Sequence, residues 1–362
     1  MGIHNGYACD DTLHLPSQVQ KGQVRPEWMT ITQGFLCGLI PNGTKREGIR
    51  VYCYHGLVEN KADALLERNF HLLSDFKRHV QFLHRFRILN LVELAEEVCR
   101  PTKHSKPAAV ITFDDGFANN LMAAEMLAAF RLPWAVFVST GAVGRGGIIW
   151  TVELSLLLLH GQAEKLEAIG REWWLGHRKS REVAFQAIRV PMKSMPSELR
   201  KKTMNLIRQQ FPEEETQRLL SEFHSVRMLA WEEIEQLAAM SVDIGSHGVH
   251  HENHHANQPE VVRLRELADS KAELEVRLKR PCQFFAFPNG DYNLFSPAEV
   301  RAAGYHLGFT TRPGTVTQGA NPYLLPRIEP AARIFRYVRE FLRESKRQRQ
   351  RAAACLNDEG LS

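Results

Sequence analysis

The sequence predicts an α/β fold built on a parallel sheet or barrel, and three observations carry that expectation. Short apolar runs of strand length alternate with segments whose apolar residues recur at three- and four-residue intervals, as on one face of a helix. One run, Ala108 to Phe113, is apolar without alternation, as a strand covered on both faces must be. The segments richest in chemically active side chains each follow directly on such a run.

Element by element, residues 1–48 show no sustained period and are rich in Gly, Pro and polar residues, so they are expected to be an extension. Ile49 to Tyr54 is the first strand. Phe70, Leu73, Phe76, Val80 and Leu83 mark an amphipathic helix. A strand at Phe86 to Asn90, a helix at Val92 to Cys99, the strand Ala108 to Phe113, a helix at Asn120 to Phe130 and a strand at Trp134 to Ser139 follow. From about 151 to 226 the pattern reads as helix only, an insertion into the fold. The alternation resumes with helix Trp231 to Met240, strand Val242 to Ile244, helix Glu260 to Leu278, strand Gln283 to Phe287, helix Pro297 to Ala303 and strand Leu307 to Thr311. No repeat at a fixed period is present, which excludes a solenoid.

With 362 residues, 44% hydrophobic and 24% charged, the chain has enough apolar content for a full core, which excludes a disordered tail or a disulfide miniprotein. The six cysteines (Cys9, Cys37, Cys53, Cys99, Cys282, Cys355) show no paired spacing and are expected to be reduced. No signal peptide and no spanning helix are expected, so the sequence reading places the protein in the cytoplasm, with membrane association as an option. The net charge of +5 resolves into a local +6 at residues 331–351, where eight Lys or Arg accompany two Glu, and −1 elsewhere. Ile334, Phe335, Val338, Phe341 and Leu342 share one helical face there. This basic amphipathic helix, within a tail at 331–362, is expected to dock on the barrel, or else to make peripheral contact with a membrane. No nucleic-acid-binding module is recognised.

The chemistry concentrates in three places. Asp114 and Asp115 stand at the C-terminal mouth of the strand ending at Phe113, where α/β barrels put catalytic groups. Being adjacent, the two carboxylates cannot point alike, so one can bind a metal while the other faces a water. Five histidines (His247, His250, His251, His254, His255) follow a second strand. A four-residue separation such as His247 and His251 lets two imidazoles converge on one ion, although His250 could replace either; His254 and His255 are expected to face solvent. A carboxylate with two imidazoles suits Zn²⁺ activating water or Fe²⁺ activating oxygen, and the spare carboxylate favours the hydrolase, which needs a base. The third place, Phe284 to Gly290, is an aromatic strand breaking on Pro-Asn-Gly, a turn that can free a backbone N–H for a developing oxyanion.

Together, TFDDGF at 112–117, IGSHGVHH at 244–251 and FAFPNGDYN at 285–293 resemble the polysaccharide deacetylase family, carbohydrate esterase family four with its NodB-homology domain. Val51 to His55, Leu229 to Glu233, Leu307 to Thr311 and Leu325 to Ile328 extend the likeness over about 49–330, less the insertion. The resemblance implies a distorted (β/α) barrel, usually of seven strands, and metal-dependent hydrolysis of the N-acetyl group of an N-acetylglucosamine-type sugar in a polysaccharide or lipid-linked glycan precursor. By motif position it implies Asp114 as general base and Asp115, His247 and His251 as ligands of a divalent metal, Zn²⁺ first, with Co²⁺, Ni²⁺ or Fe²⁺ as options. It implies the Asn289 backbone N–H at the oxyanion.

The chain departs from the best-known branch at Ala286, where that branch has Arg, and at Asn289, where it has Tyr. The FAFPNG form is similar to the branch acting on exopolysaccharides, in which the histidine of the opening Tyr-His is the candidate acid, here His55. Arg327 is expected to be a surface arginine, the alternative being that it supports the site by pairing with Asp114. Trp150, beside the mouth, and Pro288 are the expected substrate contacts; Trp173, Trp174 and Trp231 read as core. The rival expectations are another C–N hydrolysis, such as deformylation of an amino sugar, and a non-catalytic carbohydrate-binding relative.

Overall fold

A computed structural model describes residues 48–100, 107–144 and 147–330. The expected extension before Gly48 and the expected basic helix at 331–351 lie outside the described residues.

The chain opens with β1 (Arg50–Tyr54), β2 (Gly56–Val58), β3 (Phe70–Leu72), helix α1 (Leu73–Leu83), β4 (Arg87–Ile88), α2 (Leu91–Cys99), β5 (Ala108–Phe113), α3 (Leu121–Ala129) and β6 (Ala135–Val138). The insertion holds α4 (Trp150–His160), β7 (Lys165–Ala168), β8 (Arg171–Trp174), α5 (Arg178–Lys193), α6 (Ser197–Arg208) and α7 (Glu215–Glu222). Then come α8 (Trp231–Ala239), β9 (Asp243–Ser246), α9 (Glu260–Leu278), β10 (Phe284–Ala286), α10 (Ser296–Ala302), β11 (Leu307–Pro313) and β12 (Leu325–Arg327).

Seven parallel strands run in the order β1-β5-β6-β9-β10-β11-β12, with β4 added beside β5. The two ends of the row meet. Tyr52 bridges Ile328 in parallel, with Cys53 N donating to Ile328 O (3.0 Å) and Ile328 N to Val51 O (2.8 Å), so the sheet curls into a nearly closed, distorted (β/α) barrel. Alternate residues along each strand serve two cores. Tyr54, Ile111, Phe113, Val136 and Val138 pack outward with helix residues such as Phe76, Leu127, Ile234 and Leu267. Val51, Val110, Phe137, Phe284, Ala286, Phe309 and Leu325 form the opposite cluster, inside the barrel. Burial on both faces explains why these strands are apolar runs rather than alternating patterns.

The register fixes the site. Tyr54 lies opposite Phe113, and Ser246 lies opposite both Val138 and Phe285. Because all seven strands are parallel, His55, Asp114, His247 and the turn after Ala286 leave the barrel at one rim.

The insertion shares the outer core: Leu154, Leu157, Leu166, Phe185, Ile188 and Ile207 belong to the same buried cluster as the barrel's outward residues. It is not helix only. β7 and β8 form an antiparallel hairpin, with Lys165 opposite Trp174 and Ala168 opposite Arg171. Its turn residues Ile169 and Gly170 both have positive φ (54° and 73°), the backbone of a tight hairpin turn. The burial of β7 alternates strictly, and that period of two lay hidden because a β-branched Ile is a poor turn signal at positive φ. Cys53 and Cys282 are buried free thiols, as expected for these two. Among the described residues, no helix is long and apolar enough to cross a membrane.

Candidate active site

β5 ends on Asp114 and Asp115, and the chain then turns away through left-handed backbone at Asp115 (φ 74°) and Gly116 (φ 84°). A Cβ at residue 116 would stand 3.0 Å from Val138 Cγ1, so glycine is required there on both counts. The turn separates the two carboxylates. Asp114 is 2% exposed and faces Arg327, while Asp115 turns to the histidines.

Asp115 Oδ1 lies 3.3 Å from His247 Nε2 and 3.2 Å from His251 Nε2, and the ligand atoms of all three residues fall within 4.8 Å of one another. His247 Nδ1 is 2.8 Å from the Ala286 carbonyl. A carbonyl only accepts, so Nδ1 carries the proton and Nε2 presents its lone pair to the site. His251 sits in left-handed backbone (φ 55°), strain that persists only where the surroundings fix it. Its loop is held by Glu266, whose carboxylate accepts from Val249 N (2.8 Å) and His250 N (2.9 Å). His250 therefore serves through its backbone, and the choice of ligands left open by chemistry falls to His247 and His251. One carboxylate and two imidazoles, converging with side chains free on the site side, fit a divalent cation of the zinc type.

Burial by itself would raise the Asp115 carboxyl, but its close contacts with the His247 and His251 rings outweigh it and hold it well below the usual range. Burial likewise pulls His247 down, yet the carboxylates of Asp114 and Asp115 push it above its ordinary value. His251 stays lowered, because burial prevails there.

Arg327 is wholly buried, correcting the surface reading. It donates from both terminal nitrogens to Asp114, at 2.8 and 2.5 Å, and from Nε to Thr310 O at 2.9 Å. An arginine placed at the end of a closing barrel strand points across the rim, a fact that sequence position alone does not reveal. Against the cost of burial, this guanidinium holds Asp114 below the ordinary carboxylate range. Cys53 Sγ adds a weak thiol contact at 3.4 Å to Asp114 Oδ2. Cys53, His55 and Asp114 also lie within 4.8 Å of one another, so the partly exposed His55 imidazole shares the mouth with the second carboxylate.

The turn after β10 presents Pro288, which is buried, and Asn289, in left-handed backbone (φ 55°). Among the described residues the Asn289 N–H has no hydrogen-bond partner. Its side chain is fixed: Lys193 Nζ donates to Oδ1, and Nδ2 donates to Asn253 Oδ1 at 2.8 Å. Lys193 and Glu266 had no sequence signal, since each meets the site only through the fold; Cys53 had one, two residues before His55 on the opening strand.

Two further expectations fail. Trp150 is buried beneath Arg200, whose Cζ lies 4.9 Å from the ring centroid, so it offers no open face for a sugar; opening α4, it is drawn into the insertion's core. His254 is not solvent-facing but fully buried, 5.5 Å from the Phe285 ring and 5.4 Å from Phe287. Its position after the left-handed His251 turns it inward, where it packs as an aromatic. His255 is half-buried.

A barrel carrying an Asp-His-His cluster beside a second, arginine-bound carboxylate at one rim defines a hydrolase of the carbohydrate-deacetylating class. A sequence model of the polysaccharide deacetylase family matches residues 102–308, and the chain belongs to that family, whose members are N-deacetylases of carbohydrates. Among solved structures the fold is similar to the Streptococcus pyogenes deacetylase PplD in complex with acetate (16% identity, 82% of this chain and 98% of that one, TM-score 0.54). It is also similar to IcaB from Ammonifex degensii (16% identity, 79% and 93%, TM-score 0.51). At such identities these likenesses establish the fold alone. A search of curated proteins gives no significant match.

Proposed function

We propose that the chain is a metal-dependent deacetylase that removes the N-acetyl group from an N-acetylglucosamine-type sugar in an exopolysaccharide or a lipid-linked glycan precursor. The observation that carries this reading is the convergence of Asp115, His247 and His251 on one point next to a carboxylate that takes no part in that cluster.

Asp115, His247 and His251 would hold the divalent cation. When bound, it supplies Lewis-acid polarisation of the acetyl carbonyl and acidifies water. Asp114 takes the proton from the attacking water. Its two oxygens offer about four lone-pair directions and accept two bonds from Arg327 and one from Cys53, so acceptor capacity remains. Its lowered pKa keeps it ionised at neutral pH. The carbonyl oxygen gains negative charge as its carbon becomes tetrahedral, and the unpartnered Asn289 N–H stabilises that charge. His55 then gives a proton to the departing amine, and acetate leaves.

The test is acetate release from N-acetylglucosamine oligomers and from a lipid-linked N-acetylglucosamine, before and after chelation and with Zn²⁺ restored. Zinc-dependent release supports the reading. Tight glycan binding without release, with the metal bound, contradicts it.

A further inference from the structure

Among the described residues, three cationic side chains border the mouth without a carboxylate partner. Arg68 stands just before β3, and Arg189 and Lys193 lie one turn apart on α5, so the insertion delivers two of the three. The Cζ atoms of Arg68 and Arg189 lie 5.6 and 5.5 Å from the centre of the same ring, Phe185. Among the described residues none of the three forms an ion pair. Arg68 gives one hydrogen bond to Leu65 O (3.1 Å), Arg189 one to Gln186 Oε1 (2.9 Å) and Lys193 one to Asn289 Oδ1. Among the described residues Arg189 Nε is buried without a hydrogen-bond partner.

The cations act on one another and on the site. Burial, then repulsion by Arg189, lowers Arg68 to about 10, and burial, then Arg189 and Arg68, lowers Lys193 to about 8. The opposing charges are Asp115, which acts on Arg68 and Lys193, and Asp291, which acts on Lys193 and is itself bonded by Asn253 Nδ2 at 2.8 Å. A cation bound by Asp115 would neutralise that carboxylate. Two guanidiniums sharing one ring, one of them with a buried unpartnered Nε, then face the mouth with no compensating carboxylate among the described residues.

We propose that Arg68 and Arg189, with Lys193, form a subsite for a phosphate ester on the glycan, carried by the sugar that bears the acetamide or by its neighbour. The proposal rests on the deacetylase reading of the same mouth. A phosphate carries up to two charges and three acceptor oxygens, which match two guanidinium forks better than the single charge of a carboxylate does.

The experiment measures acetate release by the zinc-loaded full chain from four probes: N-acetylglucosamine, its 1-phosphate, a short-chain alkyl phosphodiester of the same sugar, and N-acetylmuramic acid. The readout is the ratio of kcat/KM for each phosphorylated probe to that of the neutral one, taken within each protein, so a general folding defect cancels. The wild type should favour a phosphorylated probe by about tenfold or more, and Arg68→Gln/Arg189→Gln should remove most of that ratio, since charge-assisted bonds are the strong ones. Preference for the monoester assigns a sugar phosphate as the source, and preference for the diester a lipid-linked glycan. Equal ratios in wild type and variant, or equal turnover of all probes by the wild type, overturn the subsite. So does an arginine-dependent preference for an N-acetylmuramic acid probe, with its carboxylate, over the phosphates. If no probe releases acetate, the deacetylase reading fails separately, and equilibrium binding decides the subsite. Tighter binding of a phosphorylated probe that the double variant loses supports it, and equal binding of neutral and phosphorylated probes overturns it.

Discussion

Arg327 and Asp114, 213 residues apart in sequence, form a bidentate pair inside the barrel rim at 2.8 and 2.5 Å, and both are almost wholly buried. The pair closes the barrel and sets the charge of the proposed base, joining fold and chemistry in one contact. Arg327→Met should therefore act on both. Removing one partner of a buried pair strands the other charge, at a cost of about 3–5 kcal/mol in stability. In the folded variant Asp114 loses the cation that favours its ionised form, so its pKa rises. The acid limb of the kcat/KM profile should shift to higher pH; a limb left in place would show that Asp114 is not the group titrating.

Metal affinity should respond to the ligands and to what holds them. Asp115→Asn and His251→Ala should each weaken Zn²⁺ binding by more than about tenfold, because even outer supports of a metal ligand are worth that much. Glu266→Ala, which frees the Val249 and His250 N–H groups, should weaken it by about ten- to a hundredfold through the loosened His251 loop. Equilibrium dialysis against a competing chelator measures all three. Unchanged affinity in Asp115→Asn would remove this residue from the ligand set.

Two buried histidines make the fold sensitive to acid. Burial lowers both His71 and His254 to about 3. In the unfolded chain they titrate near an ordinary histidine value of about 6.5, so as pH falls the unfolded state takes up protons first. Their contribution to stability is complete above about 6.5 and declines toward 3. His254→Phe, which keeps the aromatic packing against Phe285 and Phe287, should flatten that decline in urea midpoints between pH 4 and 7. An unaltered slope would contradict the neutral buried assignment.

The Asn289 turn depends on a side chain from the insertion. Lys193→Met removes the ammonium held by Asn289 Oδ1 and should lower kcat more than it raises KM, because the turn positions an N–H for the transition state. Measured on the uncharged sugar, which leaves the anion subsite empty, a rise in KM alone would overturn this positioning role.

The barrel and the Asp-His-His cluster were legible in the sequence because both follow from local pattern. Buried parallel strands must be apolar runs, and the ligands sit directly at their ends, four residues apart in the case of His247 and His251. What escaped depends on contacts distant in sequence. Arg327 is the intermediate case: its pairing with Asp114 stood as the alternative to a surface arginine, because nothing local decides between the two before the barrel closes. Lys193 lies 96 residues before Asn289, and nothing local announces the contact. Trp150 and His254 failed for the opposite reason: side chains expected at the mouth and in solvent were drawn into the core by the insertion and by the left-handed turn at His251.

The central claim is that Asp114 is the base beside a metal site built by Asp115, His247 and His251. The most direct measurement is acetate release by Asp114→Asn, with zinc content determined on the same sample. The account predicts that zinc is retained while kcat falls by about a hundred- to ten-thousandfold, the usual contribution of a general base. Turnover equal to wild type at equal zinc content would contradict it.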